Sequence, residues 1–307
     1  MSDYLILALG LAAAGFGGEM FVRGAVGLAA WARIPAGIIG ATVAAFATSA
    51  PELAVSVNAS LEGKPHIALG DALGSNVANI GLVLGAALIF ASLKAPRDSI
   101  KRDFPVAILA PLLTGLLVLD GELSRIDGAI MLVAFIVWIV AVVIEVKKQR
   151  SLAEEVLGDQ NRLSIVFSVV AGLGLLIFAG RAIVWGAKGI AASFGLEEFV
   201  IGATVVAIGT SFPELATVII SKLRGHEEIG LGTILGSNIF NNFWIVSVAT
   251  LIRPMENLPI RELAIGLGFG VITIALTFPG RGGIIGRRRG VMLLILCLAY
   301  TLTILQQ

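Results

Sequence analysis

Residues 39–54 read IGATVAAFATSAPELA and residues 201–216 read IGATVVAIGTSFPELA, so 12 of 16 positions are identical when position 39 is aligned with position 201. Extended without a gap, this repeat alignment also pairs residues 67–79 (IALGDALGSNVAN) with residues 229–241 (IGLGTILGSNIFN), where 8 of 13 positions are identical. Chance identity in so biased a composition is roughly a tenth of positions, so the agreement indicates a duplicated unit. The chain is therefore predicted to contain two copies of one structural unit.

The composition indicates a membrane protein. Of 307 residues, 57% are hydrophobic and 14% are charged, and the mean hydropathy is +0.96. A water-soluble domain carries about 25% charged residues, because a polar surface has to cover its core. The 22 basic and 21 acidic residues nearly cancel, so net charge gives no reason to expect a nucleic-acid partner. The single cysteine, Cys297, provides no disulfide framework.

Ten segments are predicted to span the membrane, since a spanning helix needs roughly 20 mainly apolar residues. They are residues 4–31, 35–61, 66–92, 103–120, 126–146, 162–193, 197–221, 227–252, 260–279 and 288–305. With the N-terminus outside, 15 lysine and arginine residues near span ends fall on the cytoplasmic side and 4 fall outside, in agreement with the positive-inside rule. We therefore expect a multi-pass protein of the cell inner (plasma) membrane whose N- and C-termini are extracytoplasmic.

The duplication and the span count together predict the fold class, an all-α membrane protein with ten transmembrane helices in two inverted five-helix repeats. The first copy of the motif lies on span two and the second on span seven, and an odd number of crossings reverses the direction of the chain. The expected divisions are a first repeat at 1–147 (spans 1–5), a cytoplasmic linker at 148–161 and a second repeat at 162–307 (spans 6–10). Inverted repeats that hold substrate at their interface near the midplane are common in secondary transporters.

Each copy places one carboxylate inside a span, Glu52 or Glu214, directly after a proline at position 51 or 213. Proline removes a backbone donor, so carbonyl oxygens about four residues earlier can turn from the helix toward a cavity. An ionisable residue in mid-span is costly and by default functional. Because both copies carry it at the same position, we expect the two glutamates to form one site.

Neutral oxygen groups accompany these carboxylates at helical spacing. Thr48 and Thr210 each precede the glutamate of their own span by four residues and so share its helix face. The following spans repeat a serine and an asparagine four residues apart, namely Ser75 with Asn79 and Ser237 with Asn241. Carboxylate, hydroxyl, amide and carbonyl oxygens, without sulfur or imidazole, suit hard cations such as Ca²⁺ and Na⁺.

Structural roles compete with this interpretation at several positions. A single hydroxyl in a membrane helix commonly bonds to its own backbone or bridges two helices. Asp71, close to Ser75, could attract cations but is expected to lie at a solvated helix end. Glu19 and Arg23 are four residues apart in span one and could form an ion pair.

At these motifs the sequence resembles the calcium/cation antiporter superfamily, specifically its prokaryotic sodium/calcium exchanger branch. The matching stretches are ATSAPE (47–52) with GSNVAN (74–79) and GTSFPE (209–214) with GSNIFN (236–241). The resemblance implies that Glu52 and Glu214 are Ca²⁺ ligands, helped by the backbone carbonyls of Thr48 and Thr210. It implies sodium sites made by the same glutamates together with Ala45, Ser49, Ser75, Ala207, Thr210, Ser211 and Ser237, with Asn79 and Asn241 lining the middle of the cluster.

The resemblance also implies a coupling ion. Several relatives carry aspartate where this chain has Asn241, and potassium-dependent members resemble that aspartate form. Proton-coupled relatives carry a different signature with a histidine near their glutamates, which this chain lacks. Sodium is therefore the implied driving ion, with three Na⁺ per Ca²⁺, although a proton could still compete for a buried carboxylate.

The expected function is secondary active exchange of Na⁺ for Ca²⁺ by alternating access at a midplane site. Two alternatives stay open, a Ca²⁺/H⁺ or other divalent cation antiporter on the same fold and a cation channel, which would pass calcium without counterflow. An enzyme is not expected, because no nucleophile, general-base histidine or nucleotide loop accompanies the carboxylates. Ca²⁺ and Na⁺ are the expected transported ions and the lipid bilayer the expected surroundings, and the sequence indicates neither a cofactor nor an obligate protein partner.

Overall fold

The computed structural model describes residues 3–32, 34–97, 99–150, 162–192 and 198–306, and it has a helix at each of the ten predicted positions. These helices are α1 (Asp3–Ala32), α2 (36–61), α3 (Pro65–Phe90), α4 (Phe104–Leu117), α5 (Arg125–Arg150), α6 (Arg162–Ala192), α7 (198–223), α8 (Glu227–Ile252), α9 (Ile260–Thr277) and α10 (Arg287–Leu305). Two short strands, β1 (Leu93–Lys94) and β2 (Ile284–Ile285), and a 3₁₀ turn at Arg281–Gly283 lie between helices.

Within the described ranges, seven helices are long and apolar enough to cross a membrane, and α2 makes eight if its two bent parts form one span. α4 has 14 residues and is shorter than the predicted span 103–120. It begins after a π-helical turn (Ser99–Asp103), and the chain turns at Gly121, whose φ of 88° favours glycine. α5 continues to Arg150, so three residues of the predicted linker 148–161 are helical, and residues 151–161 lie outside the described part.

α2 and α7 are broken helices made of the same parts in the same order. α2 consists of Ala36–Ile39, a π-helical turn (Gly40–Ala44), Ala45–Thr48 and, after Ser49, Ala50–Leu61; α7 consists of Glu198–Ile201, a π-helical turn (Gly202–Val206), Ala207–Thr210 and, after Ser211, Phe212–Leu223. The two sides of the α2 break are inclined by 42°. Each break lies two residues before a proline, which cannot donate to the preceding turn, as the sequence predicts.

α3 and α8 follow these broken helices after tight turns. The turns contain Gly63 and Gly225, with φ of 82° and 76°, a conformation that glycine adopts at little cost. Each helix then carries one π-helical turn, Asn79–Leu84 in α3 and Phe240–Ile245 in α8. The local structure of α2 and α3 therefore recurs in α7 and α8 at the positions that the repeat alignment pairs, or within one residue of them.

Glycines bring the helices of one copy against those of the other. A Cβ atom added to Gly74 of α3 would lie less than 3.0 Å from the Ala203 carbonyl oxygen of α7. One added to Gly236 of α8 would lie equally close to the Ala41 carbonyl oxygen of α2. Small residues permit this close approach of membrane helices. α3 thus packs on the first half of α7, and α8 packs on the first half of α2.

Two backbone contacts also join the copies. β1 pairs antiparallel with β2, with Leu93 opposite Ile285, and Leu123 forms an isolated bridge with Met255. The repeat alignment carries Leu93 to Met255 and Leu123 to Ile285, so each pair is the equivalent of the other.

α1 and α6, of 30 and 31 residues, pack against each other. A Cβ atom at Gly172 of α6 would lie less than 3.0 Å from the backbone of Phe21 of α1, so these helices are also in close backbone contact. At one end the guanidinium of Arg162 lies 5.7 Å from the centre of the Trp31 ring. These contacts make α1 and α6 a closely packed pair.

The ion pair predicted in α1 is present. Arg23 Nη2 lies 3.2 Å from Glu19 Oε1, and Glu19 also pairs with Arg224 at the end of α7. Glu19 therefore connects α1 to the turn before α8.

Candidate cation site

Glu52 and Glu214 lie in the first turn after the breaks of α2 and α7, and both are fully buried. The first turn of a helix has backbone N–H groups without helical partners, and its dipole favours a negative charge. The proline-containing breaks thus create two favourable positions for a carboxylate inside otherwise apolar spans.

Glu214 is bonded to hydroxyls from both copies. Ser237 Oγ of α8 donates to Glu214 Oε1 at 3.1 Å, and Ser49 Oγ of α2 donates to the same oxygen at 3.4 Å. The other oxygen, Oε2, is buried without a hydrogen-bond partner. Three helices therefore meet at this carboxylate, and one of its oxygens is left for a ligand.

Glu52 has a different environment. Both of its side-chain oxygens are buried without a hydrogen-bond partner. The carboxylates of Glu214 and Asp71 are both near enough to act electrostatically on Glu52. An uncompensated buried charge is strongly destabilising. A cation at this position would remove that penalty.

Thr48 and Thr210 bond back to their own helices. Thr48 Oγ1 lies 3.0 Å from the Ala44 carbonyl oxygen and 3.4 Å from that of Ala45. Thr210 Oγ1 lies 3.1 Å from the Val206 carbonyl oxygen. A hydroxyl that donates its one hydrogen keeps two lone pairs, which can face a cation.

The hydroxyls of Ser75 and Ser211 show that the copies are not bonded alike. Ser75 Oγ lies 3.3 Å from Thr210 Oγ1 and 3.4 Å from the Ala207 carbonyl oxygen, both on α7. Ser211, the equivalent of Ser49, is buried, but its hydroxyl has no hydrogen-bond partner. Ser49 bonds the opposite glutamate, whereas Ser211 does not.

Asparagines connect α3 and α8 at the centre. Asn79 Nδ2 donates to Asn238 Oδ1 at 3.2 Å, and Asn238 Nδ2 donates to the Asn76 carbonyl oxygen at 3.1 Å. Both polar atoms of the Asn241 side chain are buried without a hydrogen-bond partner, as is Asn79 Oδ1. Asn79 and Asn241 therefore bring unsatisfied amide groups into the buried centre.

The prediction that Asp71 lies at a solvated helix end is wrong. Asp71 is fully buried, and its Oδ1 accepts a hydrogen bond from Thr210 Oγ1 at 3.2 Å. Close packing of α3 on α7 covers this turn, although it is only the second turn of its helix. The four-residue spacing between Asp71 and Ser75 could have indicated this position, because it places both side chains on one face of the helix.

Asn76 and Asn238 are two further buried polar residues that the sequence reasoning did not assign to the site. Both belong to the GSN motif, and the repeat alignment pairs one with the other. Their recurrence in a buried helix was the signal that could have identified them.

All predicted site residues are at most 2% exposed: Ala45, Thr48, Ser49, Glu52, Ser75, Asn79, Ala207, Thr210, Ser211, Glu214, Ser237 and Asn241. Among the described residues, no group of three or more His, Cys, Asp and Glu side chains forms a metal centre. The donors are instead two main carboxylates supplemented by hydroxyl and amide oxygens. Oxygen donors of this kind suit Ca²⁺ and Na⁺ rather than soft transition metals.

Together, the fold and the site define a helical membrane protein with buried oxygen ligands between two similar copies. The family model described as "Sodium/calcium exchanger protein" matches residues 2–144 and again 164–306, and these two matches are displaced from each other as the repeat alignment requires. The chain belongs to this family, and the resemblance found at the motifs is confirmed.

Individual relatives are similar over nearly the whole chain. The inner membrane protein YrbG of Escherichia coli is 35% identical over 295 residues, which is 90% of each chain. The sodium/calcium exchanger MaX1 of Methanosarcina acetivorans is 27% identical in an alignment 346 positions long, which covers 97% of each chain. A structure of the sodium-calcium exchanger NCX_Mj soaked with 10 mM Na⁺ and 10 mM Sr²⁺ aligns with a TM-score of 0.80 and 30% identity, covering 97% of this chain and 96% of that one.

Proposed function

We propose that the protein is a secondary active antiporter that exchanges Na⁺ for Ca²⁺ by alternating access at the site between α2, α3, α7 and α8. The observation that carries the proposal is the burial of Glu52 and Glu214 with three side-chain oxygens that no protein group satisfies. Similarity supports it, since MaX1 is named a sodium/calcium exchanger and NCX_Mj is described in terms of extracellular ion exchange and binding-site occlusion.

In this proposal, Glu52 and Glu214 bind Ca²⁺ together with the backbone carbonyls of Thr48 and Thr210. Na⁺ ions use the same glutamates together with Ala45, Ser49, Ser75, Ala207, Thr210, Ser211 and Ser237. Asn79 and Asn241 line the space between the ions. Because both ion types need the same two carboxylates, they exclude each other.

Charge compensation couples the two ions. Two carboxylates balance one Ca²⁺, whereas the empty site leaves buried negative charges, which a low-dielectric interior strongly disfavours. The empty carrier should therefore hardly change its access. With Ca²⁺ or with Na⁺ bound, the charges are largely compensated and the access change becomes possible.

The proposed architecture consists of ten spans in two inverted halves, with the N- and C-termini outside the inner membrane. Support comes from the equivalent breaks of α2 and α7, from the paired family matches and from the distribution of basic residues. α1 and α6, which pack on each other, slide as gates against a core of α2, α3, α7 and α8.

The test is ion flux in proteoliposomes that contain the purified protein. We expect an outward Na⁺ gradient to drive ⁴⁵Ca²⁺ uptake, and we expect vesicles loaded with K⁺ or choline to show only the uptake of protein-free vesicles. Absence of Na⁺-driven uptake by protein whose fold has been verified would refute the proposal.

Two further arms of the same experiment separate the rival functions. Uptake driven by a pH gradient in the absence of Na⁺ would indicate a Ca²⁺/H⁺ antiporter. Calcium flux that needs no cation on the opposite face would indicate a channel.

A further inference from the structure

Asp71 is a third buried carboxylate at the proposed site, and the second copy has no counterpart to it. The repeat alignment places Thr233 of α8 at the equivalent position. The Thr233 hydroxyl donates to the Ile229 carbonyl of its own helix at 2.8 Å. The extra acid therefore acts on one side of the site only.

Glycine contacts fix the backbone around Asp71. Cβ atoms added to Gly70 and Gly74 would come within 3.0 Å of the carbonyl oxygens of Phe199 and Ala203 on α7. The turn that carries Asp71 is thus held directly against α7, the helix that carries Thr210. This close packing of backbones fixes the position from which the Asp71 side chain leaves α3.

Asp71 lies within hydrogen-bonding distance of two hydroxyls, Ser75 and Thr210, and the second of these also acts on Glu52. Its Oδ1 lies 3.2 Å from Thr210 Oγ1 and 3.4 Å from Ser75 Oγ, so it competes for both hydrogens with the carbonyl oxygens of Val206 and Ala207. Each hydroxyl has one hydrogen and two lone pairs. Hydrogen bonds to an ionised carboxylate are roughly twice as strong as those to a neutral carbonyl, so Asp71 is the preferred acceptor over the nearby backbone oxygens.

The consequence is a difference between the two glutamates. Glu214 receives hydrogens from Ser49 and Ser237, and these must turn away before a cation can take the same oxygen. No group donates a hydrogen bond to either Glu52 oxygen within 3.5 Å, and the nearby Thr210 hydroxyl, which acts on this carboxylate, has Asp71 as an alternative acceptor. The Thr210 and Ser75 oxygens keep lone pairs for a cation, because their hydrogens point to Asp71.

We propose that Asp71 is a positioning residue that prepares the Glu52 side of the site for a cation and favours Ca²⁺ over Na⁺. The inference rests on the proposed exchange function. Asp71 acts by holding the hydrogens of Thr210 and Ser75 and by adding a fixed negative charge. The energy of an ion in the field of a fixed charge is proportional to the charge of the ion, so Ca²⁺ gains twice as much as Na⁺.

The test compares Asp71→Asn and Asp71→Thr with the wild-type protein, using Thr233→Val as the matched control in the other copy. For Asp71→Asn we expect the Ca²⁺ concentration that gives half-maximal exchange to rise about ten-fold and the corresponding Na⁺ concentration to rise about three-fold. The two factors differ because the lost interaction energy is twice as large for the divalent ion, so the factor for Na⁺ is the square root of the factor for Ca²⁺. Asp71→Thr introduces the residue found at the equivalent position of the other copy. The new hydroxyl is expected to bond the backbone of its own helix, as that of Thr233 does, so the Thr210 and Ser75 hydroxyls lose an acceptor and can turn toward Glu52. We expect Asp71→Thr to shift both concentrations in the same direction and Thr233→Val to shift neither.

Ca²⁺ and Na⁺ binding to the same purified proteins, measured by titration calorimetry in detergent, should show the same unequal shifts. Equal shifts for the two ions, or a lower maximal rate with unchanged half-maximal concentrations, would overturn the inference. If neither variant can be recovered folded, Asp71 is a structural residue and the inference fails. Wild-type vesicles that show no Na⁺-driven Ca²⁺ uptake would refute the exchange function itself, which is a separate outcome.

Discussion

Glu52 and Glu214 occupy equivalent positions in sequence but have unequal numbers of partners. Glu52 has two unsatisfied oxygens, whereas Glu214 has one, because Ser49 and Ser237 bond the other. A buried acceptor without a partner costs about 1–3 kcal/mol, and more if it is charged. Without cations the site therefore lowers the stability of the protein, and this can be measured.

We predict that Glu52→Gln raises the free energy of unfolding in cation-free detergent buffer at alkaline pH, where the carboxyl is ionised, by about 1–3 kcal/mol, because it removes a buried charge that no group compensates. Glu214→Gln should raise it less, because it weakens two hydrogen bonds at the same time. Both variants should lose Na⁺-driven Ca²⁺ uptake and the stabilisation by Ca²⁺. Thermal unfolding with and without Ca²⁺ measures the stability, and the exposed Glu122→Gln serves as the control. Near-normal exchange in either glutamate variant would remove that residue from the site.

Single residues also show how far the sequence could predict the site. Glu52 and Glu214 were predictable because a charge in an apolar span is costly and because it occurs twice. Asp71 was not predictable, because it lies close to the start of α3, where contact with solvent is expected. Its spacing from Ser75 indicates the face of the helix on which it lies, but its burial depends on the packing of α7, which the residues around Asp71 do not reveal.

At the scale of elements, α2 and α8 approach each other so closely that their backbones are in contact. A Cβ atom added to Gly232 would lie less than 3.0 Å from the Gly37 carbonyl oxygen, and one at Gly236 equally close to that of Ala41. α2 and α8 therefore cannot accommodate even a methyl group at these two positions. The Ser237 hydroxyl, which bonds Glu214, directly follows the second of them.

We predict that Gly232→Ala and Gly236→Ala each destabilise the protein by about 1–3 kcal/mol, the usual cost of overpacking, and that both reduce exchange. Gly268→Ala in α9 is the control, because no side chain and no atom of another helix lies within 4 Å of the added Cβ. It should be neutral or stabilising by up to about 1 kcal/mol, because alanine favours the helix. Thermal unfolding and uptake of the three variants test this, and equal stability of all three would contradict the helix contact.

Helix positions were largely predictable from apolar runs, and the breaks of α2 and α7 from their prolines. The length of α4 was not, because the 103–120 segment is apolar throughout most of its length whereas the helix stops at Leu117. α5 extends beyond the predicted span 126–146 to Arg150, because polar residues such as Lys148 continue the helix. Hydrophobicity thus locates membrane helices better than it locates their ends.

At the scale of the whole molecule, the proposed orientation in the membrane rests on the positions of basic residues and can be tested separately from transport. In a Cys297→Ala background, we predict that Glu122→Cys reacts with a membrane-impermeant maleimide added to intact cells, because the loop after α4 is expected outside. Lys147→Cys, at the end of α5, should react only after the membrane is opened. The reverse labelling pattern would invert the proposed topology, and labelling of both sites in intact cells would contradict the five-span half.

The two pairs of backbone contacts between the copies, Leu93 with Ile285 and Leu123 with Met255, show how the two copies fit together at their edges. Each pair takes one residue from each copy, and exchanging the copies converts one pair into the other. In the proposed inverted arrangement, these are the contacts that a single copy would make twice with an identical, oppositely inserted neighbour. The two contact pairs are thus related by exchange of the copies, and Asp71, aligned with Thr233, marks a position at which the copies differ.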